Sequence, residues 1–455
     1  LVSEIPGPRS QALVDVLARH ECPAITARRA RREAETGVDQ DPIVWERALG
    51  AFVWDVDGNR YVDLTGAFAV GNIGHGHPEV VEAAQRQAGL LIHAMGDLYP
   101  AEPRIELCAR LAQVAPGDLS IVILGQSGAS AVEAALKTAV MATGKPGVIA
   151  FQGAYHGLEH GALAVTAYKR SFREPFKAQL NPHVTHLPHP GEDGPLGGTE
   201  AGVKASLAYL ERLLTHPASG GEGIGALIVE PIQGRGGEVV APPSWLRGVR
   251  ALCDRLGVVL IFDEIYSGLG RTGRWFACEH AGVVPDVLCV GKALGGGFPI
   301  SAAIGRPAIM EAWGSSKGEA IHTSTFLGNP LGCAMALAAL RVIERDGLVQ
   351  RCATLGAWMR SALESLRRRV GPTLGPVRGE GLMLGLPIRK LDGRPDGARS
   401  LALMERMRAK GYLVVPSGIY GEVLGFSPPL VIQRAQLEGA LVALEACLGE
   451  TAPSA

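Results

Sequence analysis

The chain carries no excess of charge of either sign: 44 Lys and Arg stand against 45 Asp and Glu, for a formal net charge of -1 over 455 residues. Proteins that grip nucleic acid need a basic footprint, so no nucleic-acid partner is expected. The one dense basic run, Arg28-Arg29-Ala30-Arg31-Arg32, reads as the solvated face of an N-terminal helix rather than as a phosphate-binding arm. No run of about 20 apolar residues exists, so no membrane span is expected. The opening LVSEIPGPRS has no charged stretch followed by an apolar one. No signal peptide is therefore expected, and the expected location is cytoplasmic. The eight cysteines are scattered and none lies in a CxxC that would complete a zinc site. No metal site is expected, and the thiols should be free and mostly buried. No internal repeat is visible.

What is present is apolar bulk, 47% of the chain, enough at this length for more than one core. Residues 51–64 (AFVWDVDGNRYVDL) alternate apolar and polar about Asp57-Gly58, which predicts a hairpin. From about Gly71 short apolar runs alternate with helical stretches. Strands are expected at 120–124 (SIVIL), 147–151 (GVIAF), 226–230 (ALIVE), 258–263 (VVLIFD) and 287–290 (VLCV), with a helix over 130–141. The pattern predicts an α/β fold: a large domain with a mostly parallel central sheet covered on both faces, and a smaller α+β domain. The expected division is an N-terminal segment over 1–70 that joins the small domain, a large domain over 71–330 and a C-terminal small domain over 331–455. The last of these should contain strands at 379–386 and 411–415 and a helix over 434–448. Residues 188–198 (PHPGEDGPLGG) read as a surface loop.

Ligands of such sheets bind at the carboxyl ends of the strands. There the sequence puts Gly125-Gln126-Ser127-Gly128, Tyr155-His156-Gly157, Glu230-Pro231, Asp263-Glu264 and Lys292. Two motifs are weaker than they look. Residues 268–273 (GLGRTG) form a GxGxxG, but Asp263-Glu264-Ile265-Tyr266-Ser267, from the strand's last residue onward, intervene with two carboxylates where a dinucleotide's pyrophosphate would have to approach. Residues 125–129 nearly match the GxSxG of hydrolases but lack the final glycine. What remains at 125–130 is a small-residue turn from strand to helix, either an anion site or an ordinary turn. Lys292 sits between an apolar strand and Gly295-Gly296-Gly297, a poor place for a solvated lysine. Burial lowers a lysine's pKa and makes its amine nucleophilic. Asp263 ends the most apolar strand, where a carboxylate is costly unless paired. Its partner is either a pyridinium N–H or a structural cap or ion pair.

Together these residues resemble the class III pyridoxal-phosphate-dependent aminotransferases of fold type I, from about Trp45 to Leu448. The resemblance runs through Gly74-His75-Gly76-His77-Pro78, the segments 127–137 (SGASAVEAALK), 229–234 (VEPIQG), 262–273 (FDEIYSGLGRTG), 291–297 (GKALGGG), 322–330 (HTSTFLGNP) and 377–386 (VRGEGLMLGL), and Pro428-Pro429-Leu430. It implies pyridoxal 5'-phosphate as cofactor, held as a Schiff base by Lys292. Lys292 is also implied to move the substrate's Cα proton. Asp263 would keep the ring nitrogen protonated, so that the ring acts as an electron sink. Ser127, Gly128 and Ala129 would form the phosphate turn, and Tyr155 would stack on the ring. His156 and Glu230 would lie beside the cofactor, and Tyr266 near its O3' or simply in the pocket wall. Arg378 would be structural. Thr325 would reach the phosphate of a neighbouring subunit, which implies a homodimer or higher homo-oligomer with shared active sites. The implied reaction moves an amino group from an amino acid or amine to a keto acid or aldehyde.

The substrate-reading positions depart from the ornithine- and aminobutyrate-type members. Leu158 and Gly425 stand where those carry arginine, and Arg235 where they carry glutamate. Arg235 is therefore the candidate grip for a substrate carboxylate, the alternative being a solvated loop residue. The departures argue against ornithine or 4-aminobutyrate as substrate. The nearest rival reading is a racemase or epimerase of amino acids or amino-lactams, which some members of the family are. It differs by needing no carbonyl partner. A non-catalytic relative is a third reading, against which the intact Lys292, Asp263 and Thr325 argue.

Overall fold

A computed structural model describes residues 1–23, 42–191, 197–315 and 318–451. The basic run at 28–32 lies outside the described residues, as does the middle of the expected loop at 188–198. Seven strands form the central sheet: β1 (Ile121–Gly125), β2 (Gly147–Phe151), β3 (Val184–Leu187), β4 (Ile224–Val229), β5 (Val259–Asp263), β6 (Val287–Val290) and β7 (Ser301–Gly305). Their spatial order is β1-β7-β6-β5-β4-β2-β3. All run parallel except β7, which is antiparallel to both of its neighbours. Every residue of β2, β4, β5 and β6 is buried, as continuous apolar strands covered on both faces must be. The expected strand at 226–230 starts two residues earlier and stops at Val229, so Glu230 begins the following loop.

The sequence reading did not anticipate β3 or β7. β7 reads SAAIG, with only one β-branched residue, so composition does not flag it. Its place comes from pairing with strands on both sides. Helix α1 (Gly128–Thr143) follows β1. The Ser127 hydroxyl caps it by accepting from Ser130 N at 3.0 Å, and Gly144 ends it in the left-handed conformation at φ 69°. Buried Ala129, Ala131, Ala134, Ala135 and Ala139 let the helix lie close on the sheet.

Phe52–Asp55 and Arg60–Asp63 form the expected hairpin. Arg60–Asp63 also pairs in parallel with Tyr412–Leu413, which docks the start of the chain on its C-terminal part. A second, antiparallel sheet contains β8 (Arg378–Glu380), β9 (Met383–Pro387), β10 (Val415–Ser417) and β11 (Val423–Phe426), in the order β8-β9-β11-β10. The single strand expected over 379–386 is instead the β8–β9 hairpin. Gly381 turns it at φ 57°. The helix expected at 434–448 spans Arg434–Glu450. Among the described residues no helix is long and apolar enough to cross a membrane.

The GLGRTG segment has a structural use. Arg271 is fully buried. Its Nη1 donates to Leu382 O at 3.1 Å and Pro428 O at 2.6 Å, and its Nη2 to Asn72 Oδ1 at 2.5 Å. A Cβ on Gly273 would lie 2.8 Å from Ala353 Cα, so this glycine serves packing against helix Leu348–Val370. One guanidinium thus joins the turn after the N-terminal hairpin, the β8–β9 hairpin and the segment after β11. Replacing it strands three buried acceptors. Arg271→Met is expected to cost roughly 3 kcal/mol or more, read as a lowered urea midpoint. An unchanged midpoint would mean that those acceptors find other donors.

Candidate active site

The carboxyl ends of β1, β2, β4, β5 and β6 open on one cavity of about 660 Å³. Ser127, Gly128, Ala129, Tyr155, His156, Glu230, Arg235, Asp263, Tyr266 and Lys292 all line it, so ten of the predicted site residues meet there. The facing wall comes from remote parts of the chain: Thr65 and Phe68 near the hairpin, and Val415, Ser417, Gly425 and Ser427 around the second sheet. Leu158 lies on the rim, half exposed. Thr325 is exposed and stands outside the cavity of its own chain.

Lys292 follows β6 in the left-handed region at φ 41°, a strained conformation for a lysine. Its Nζ lies 4.9 Å over the Tyr266 ring and makes no hydrogen bond among the described residues. Burial depresses the amine's pKa below the usual lysine value, against the opposing charges of Asp263 and Glu230, and Arg235 adds to the depression.

Asp263 ends β5, next to Cys289 of β6. Its Oδ2 accepts from His156 Nδ1 at 2.7 Å and its Oδ1 from Ile265 N at 3.0 Å. The structural ion pair weighed for Asp263 is therefore present. Burial works against a charged His156, but the bond and charge of Asp263, helped by Glu230, outweigh it and leave the imidazole pKa raised. His156 Nε2 is buried without a partner among the described residues. Glu230 accepts from Tyr155 N at 2.8 Å and Gly234 N at 3.2 Å, which ties the loop after β2 to the loop after β4. Burial pushes its carboxyl up to about 7.

Tyr266 donates to Ser427 Oγ at 2.9 Å, and Ser427 Oγ in turn donates to Thr65 O at 2.9 Å. Burial pushes the phenol up to about 12, so it stays protonated as a donor. Tyr155 makes edge contacts with Tyr168 and Phe172. The Arg235 guanidinium lies 4.9 Å over the Tyr155 ring and 5.8 Å over the Tyr168 ring, a cation–π arrangement that holds it at the cavity. Arg378 is buried and donates to Gly237 O at 3.4 Å.

These residues fit a phosphorylated pyridine aldehyde. At one end the N-terminus of α1 already attracts an oxyanion: Glu159 Oε1 accepts from Ser127 Oγ at 2.6 Å. Helix dipole and free N–H groups favour negative charge there. Across the floor lie a carboxylate able to accept a ring N–H and a buried amine without a hydrogen-bond partner. One lining residue, Glu238, escaped the sequence reading. The available signal was a carboxylate between Gly236-Gly237 and Val239-Val240, where apolar neighbours announce burial.

Fold and site together define a pyridoxal-phosphate-dependent transferase of fold type I. Residues 34–448 match the family model of the class III aminotransferases, and the chain belongs to that family. It is 38% identical over 431 residues to the 5-aminovalerate aminotransferase DavT of Pseudomonas aeruginosa, covering 93% of this chain and 98% of that one. It is 32% identical over 459 residues to an alanine/serine racemase of Pyrococcus horikoshii, covering 99% and 93%. Its backbone matches an amine transaminase from an uncultivated Pseudomonas species, solved with pyridoxal phosphate bound, at a TM-score of 0.84 and 30% identity over 90% of this chain and 95% of that one. The cofactor is pyridoxal 5'-phosphate and the reaction is amino-group transfer.

Proposed function

We propose that Lys292 holds the cofactor and moves the substrate Cα proton, in the transfer of an amino group from a carboxylate-bearing donor to a keto acid or aldehyde. The observation that carries this is the buried Lys292 amine facing the Asp263–His156 pair across one cavity. When bound, the cofactor supplies a carbonyl that condenses with amines and a ring that accepts electrons. The depressed pKa keeps more of Lys292 Nζ neutral near pH 7, the form that bonds to a carbonyl and takes up a proton. Asp263 would accept the ring N–H, and His156, bonded to its Oδ2, would hold that carboxylate in position. Ser127, Gly128 and Ala129 bind the phosphate at the α1 N-terminus, with Glu159 yielding its place there. Glu230 acts on the backbone, keeping Tyr155 at the ring. In the same reading residues 71–330 form the large domain, and 1–70 join 331–455 in the small one. The pairing of Arg60–Asp63 with Tyr412–Leu413 supports that division.

Arg235 grips the donor's carboxylate. Its guanidinium faces the cavity with no carboxylate bonded to it among the described residues, and the aminovalerate substrate of the Pseudomonas relative is itself a carboxylate. Thr325 serves a second copy of the chain. The segment around exposed Ile92 lies against the segment around Thr325, through the His93–Phe326 ring contact and the Asn329–Ile92 bond, and both carry exposed apolar side chains suited to a subunit interface.

Borohydride reduction of the holoenzyme and peptide mapping are expected to find the cofactor on Lys292. Lys292→Ala should lose that label and slow turnover by roughly 100- to 10,000-fold. Label on another lysine would remove Lys292 from its role. In a panel of amino donors with pyruvate or 2-oxoglutarate, Arg235→Ala should raise KM for carboxylate donors by roughly 10- to 100-fold with little change in kcat. Arg235 is exposed to solvent as well as to the cavity, so an unchanged KM would leave it a solvated loop residue, and loss of optical purity without any keto acid would make the enzyme a racemase. Mixing inactive Lys292→Ala with impaired Thr325→Ala should restore activity through hybrid dimers. A monomer by light scattering, or no recovery, overturns the shared site.

A further inference from the structure

Three residues beyond Arg235 the same cavity holds a carboxyl to which the amino-transfer reading gives no part. Glu238 is 3% exposed and lines the cavity with Tyr266, Ser417 and Gly425. Its backbone stands at φ 53°, directly after Gly237 at φ 107°. A glutamate rarely adopts that conformation, and such strain persists only where the surroundings enforce it. The carboxylate lies over a cross-strand glycine pair, Gly385 of β9 opposite Gly425 of β11. A Cβ on Gly385 would stand 2.6 Å from Glu238 Oε2, and one on Gly425 would stand 3.0 Å from Oε1. The two glycines therefore make the room that the carboxylate occupies.

Oε2 accepts from Ser417 Oγ at 2.7 Å. Oε1 has neither a hydrogen-bond donor nor an ion-paired cation among the described residues. The neighbouring charge is Glu422, of the same sign; burial and that repulsion push the carboxyl up to about 8, against the Ser417 bond. Oε1 therefore opens on the cavity with no protein partner among the described residues, and a cation brought there by a ligand would stabilise the charged form of the carboxyl. Arg235 lies on the same cavity, stacked on Tyr155 and Tyr168 instead of paired with Glu238.

We propose that Glu238 binds a second, non-reacting ammonium group of the substrate, so that with Arg235 the cavity selects diamino carboxylic acids. This rests on the reading of the cavity as the amino-transfer site. A substrate of this class presents one carboxylate to Arg235, one amine to Lys292 and the cofactor, and one ammonium to Glu238 Oε1.

The test uses holoenzyme, 2-oxoglutarate and donor pairs that differ by a terminal ammonium: lysine against norleucine, ornithine against norvaline, and 2,4-diaminobutyrate against 2-aminobutyrate. In at least one pair the wild type should favour the ammonium member by about 10-fold or more in kcat/KM. Glu238→Gln should lower that preference by roughly 10- to 100-fold. Donor titrations followed by cofactor absorbance give the same comparison as Kd, independent of turnover. A wild type without preference for the ammonium member in any pair overturns the proposal whether or not the variant folds, and so does a preference that survives in Glu238→Gln. Failure of the amino-transfer reading looks different: no donor of any kind passes its amine to 2-oxoglutarate.

Discussion

The Arg271 guanidinium bonds at once to Asn72, Leu382 and Pro428. Those three positions lead to the parts of the cavity wall that the central sheet does not supply. Asn72 follows Thr65 and Phe68, Leu382 sits in the hairpin turn before β9, which pairs with the wall strand β11, and Pro428 follows Gly425 and Ser427. The neighbouring backbone bonds, Ser427 N to Leu64 O and Leu430 N to Asn72 O, run through the same junction. A cation satisfied by neutral oxygens needs all of them in place, because each acceptor it loses leaves a buried charge less solvated. This contact, with those backbone bonds, fixes the wall against the sheet. The binding geometry of the cavity depends on it.

Within that frame the site is a balance of buried charges. Lys292 is destabilised as a cation, His156 is stabilised as one, and Glu230 and Glu238 are both pushed towards neutrality. Asp263 is common to the first two, facing the amine and bonded to the imidazole. This balance is what a cofactor with a cationic ring and an anionic phosphate requires: a carboxylate for the ring nitrogen, a helix end for the phosphate and an amine that is not obliged to stay charged. The substrate side is set by different groups. Arg235, a cation, and Glu238, a carboxyl whose charged form burial disfavours, share one wall without pairing, which leaves both available to a ligand.

Legibility followed local chemistry. β2 and β6 were readable to the residue because continuous buried strands are continuous apolar runs. β7 was not, because alanine and glycine carry no strand signal and only its two neighbours decide its conformation. The strand expected at 379–386 breaks because Gly381 takes a left-handed turn that an apolar count does not register. Lys292, Asp263 and Glu230 were readable as odd polar residues at strand ends. The place of Glu238 on the cavity was not readable, because it exists only when β9 and β11 bring Gly385 and Gly425 together beneath it.

The amino-acid sequence by itself determined the class of fold, the family and the cofactor, because strand periodicity and the ordered motifs are local and survive without coordinates. It also singled out Arg235 by the sign of its charge. Tertiary structure decided what no linear pattern contains: that Arg271 is a structural clamp and not part of a nucleotide motif, that Asp263 is bonded to His156 across 107 positions, and that Glu238 faces the cavity with an unanswered oxygen. The reason is physical. A charge's pKa, partners and desolvation are set by the atoms packed around it, and those atoms come from parts of the chain far away in sequence.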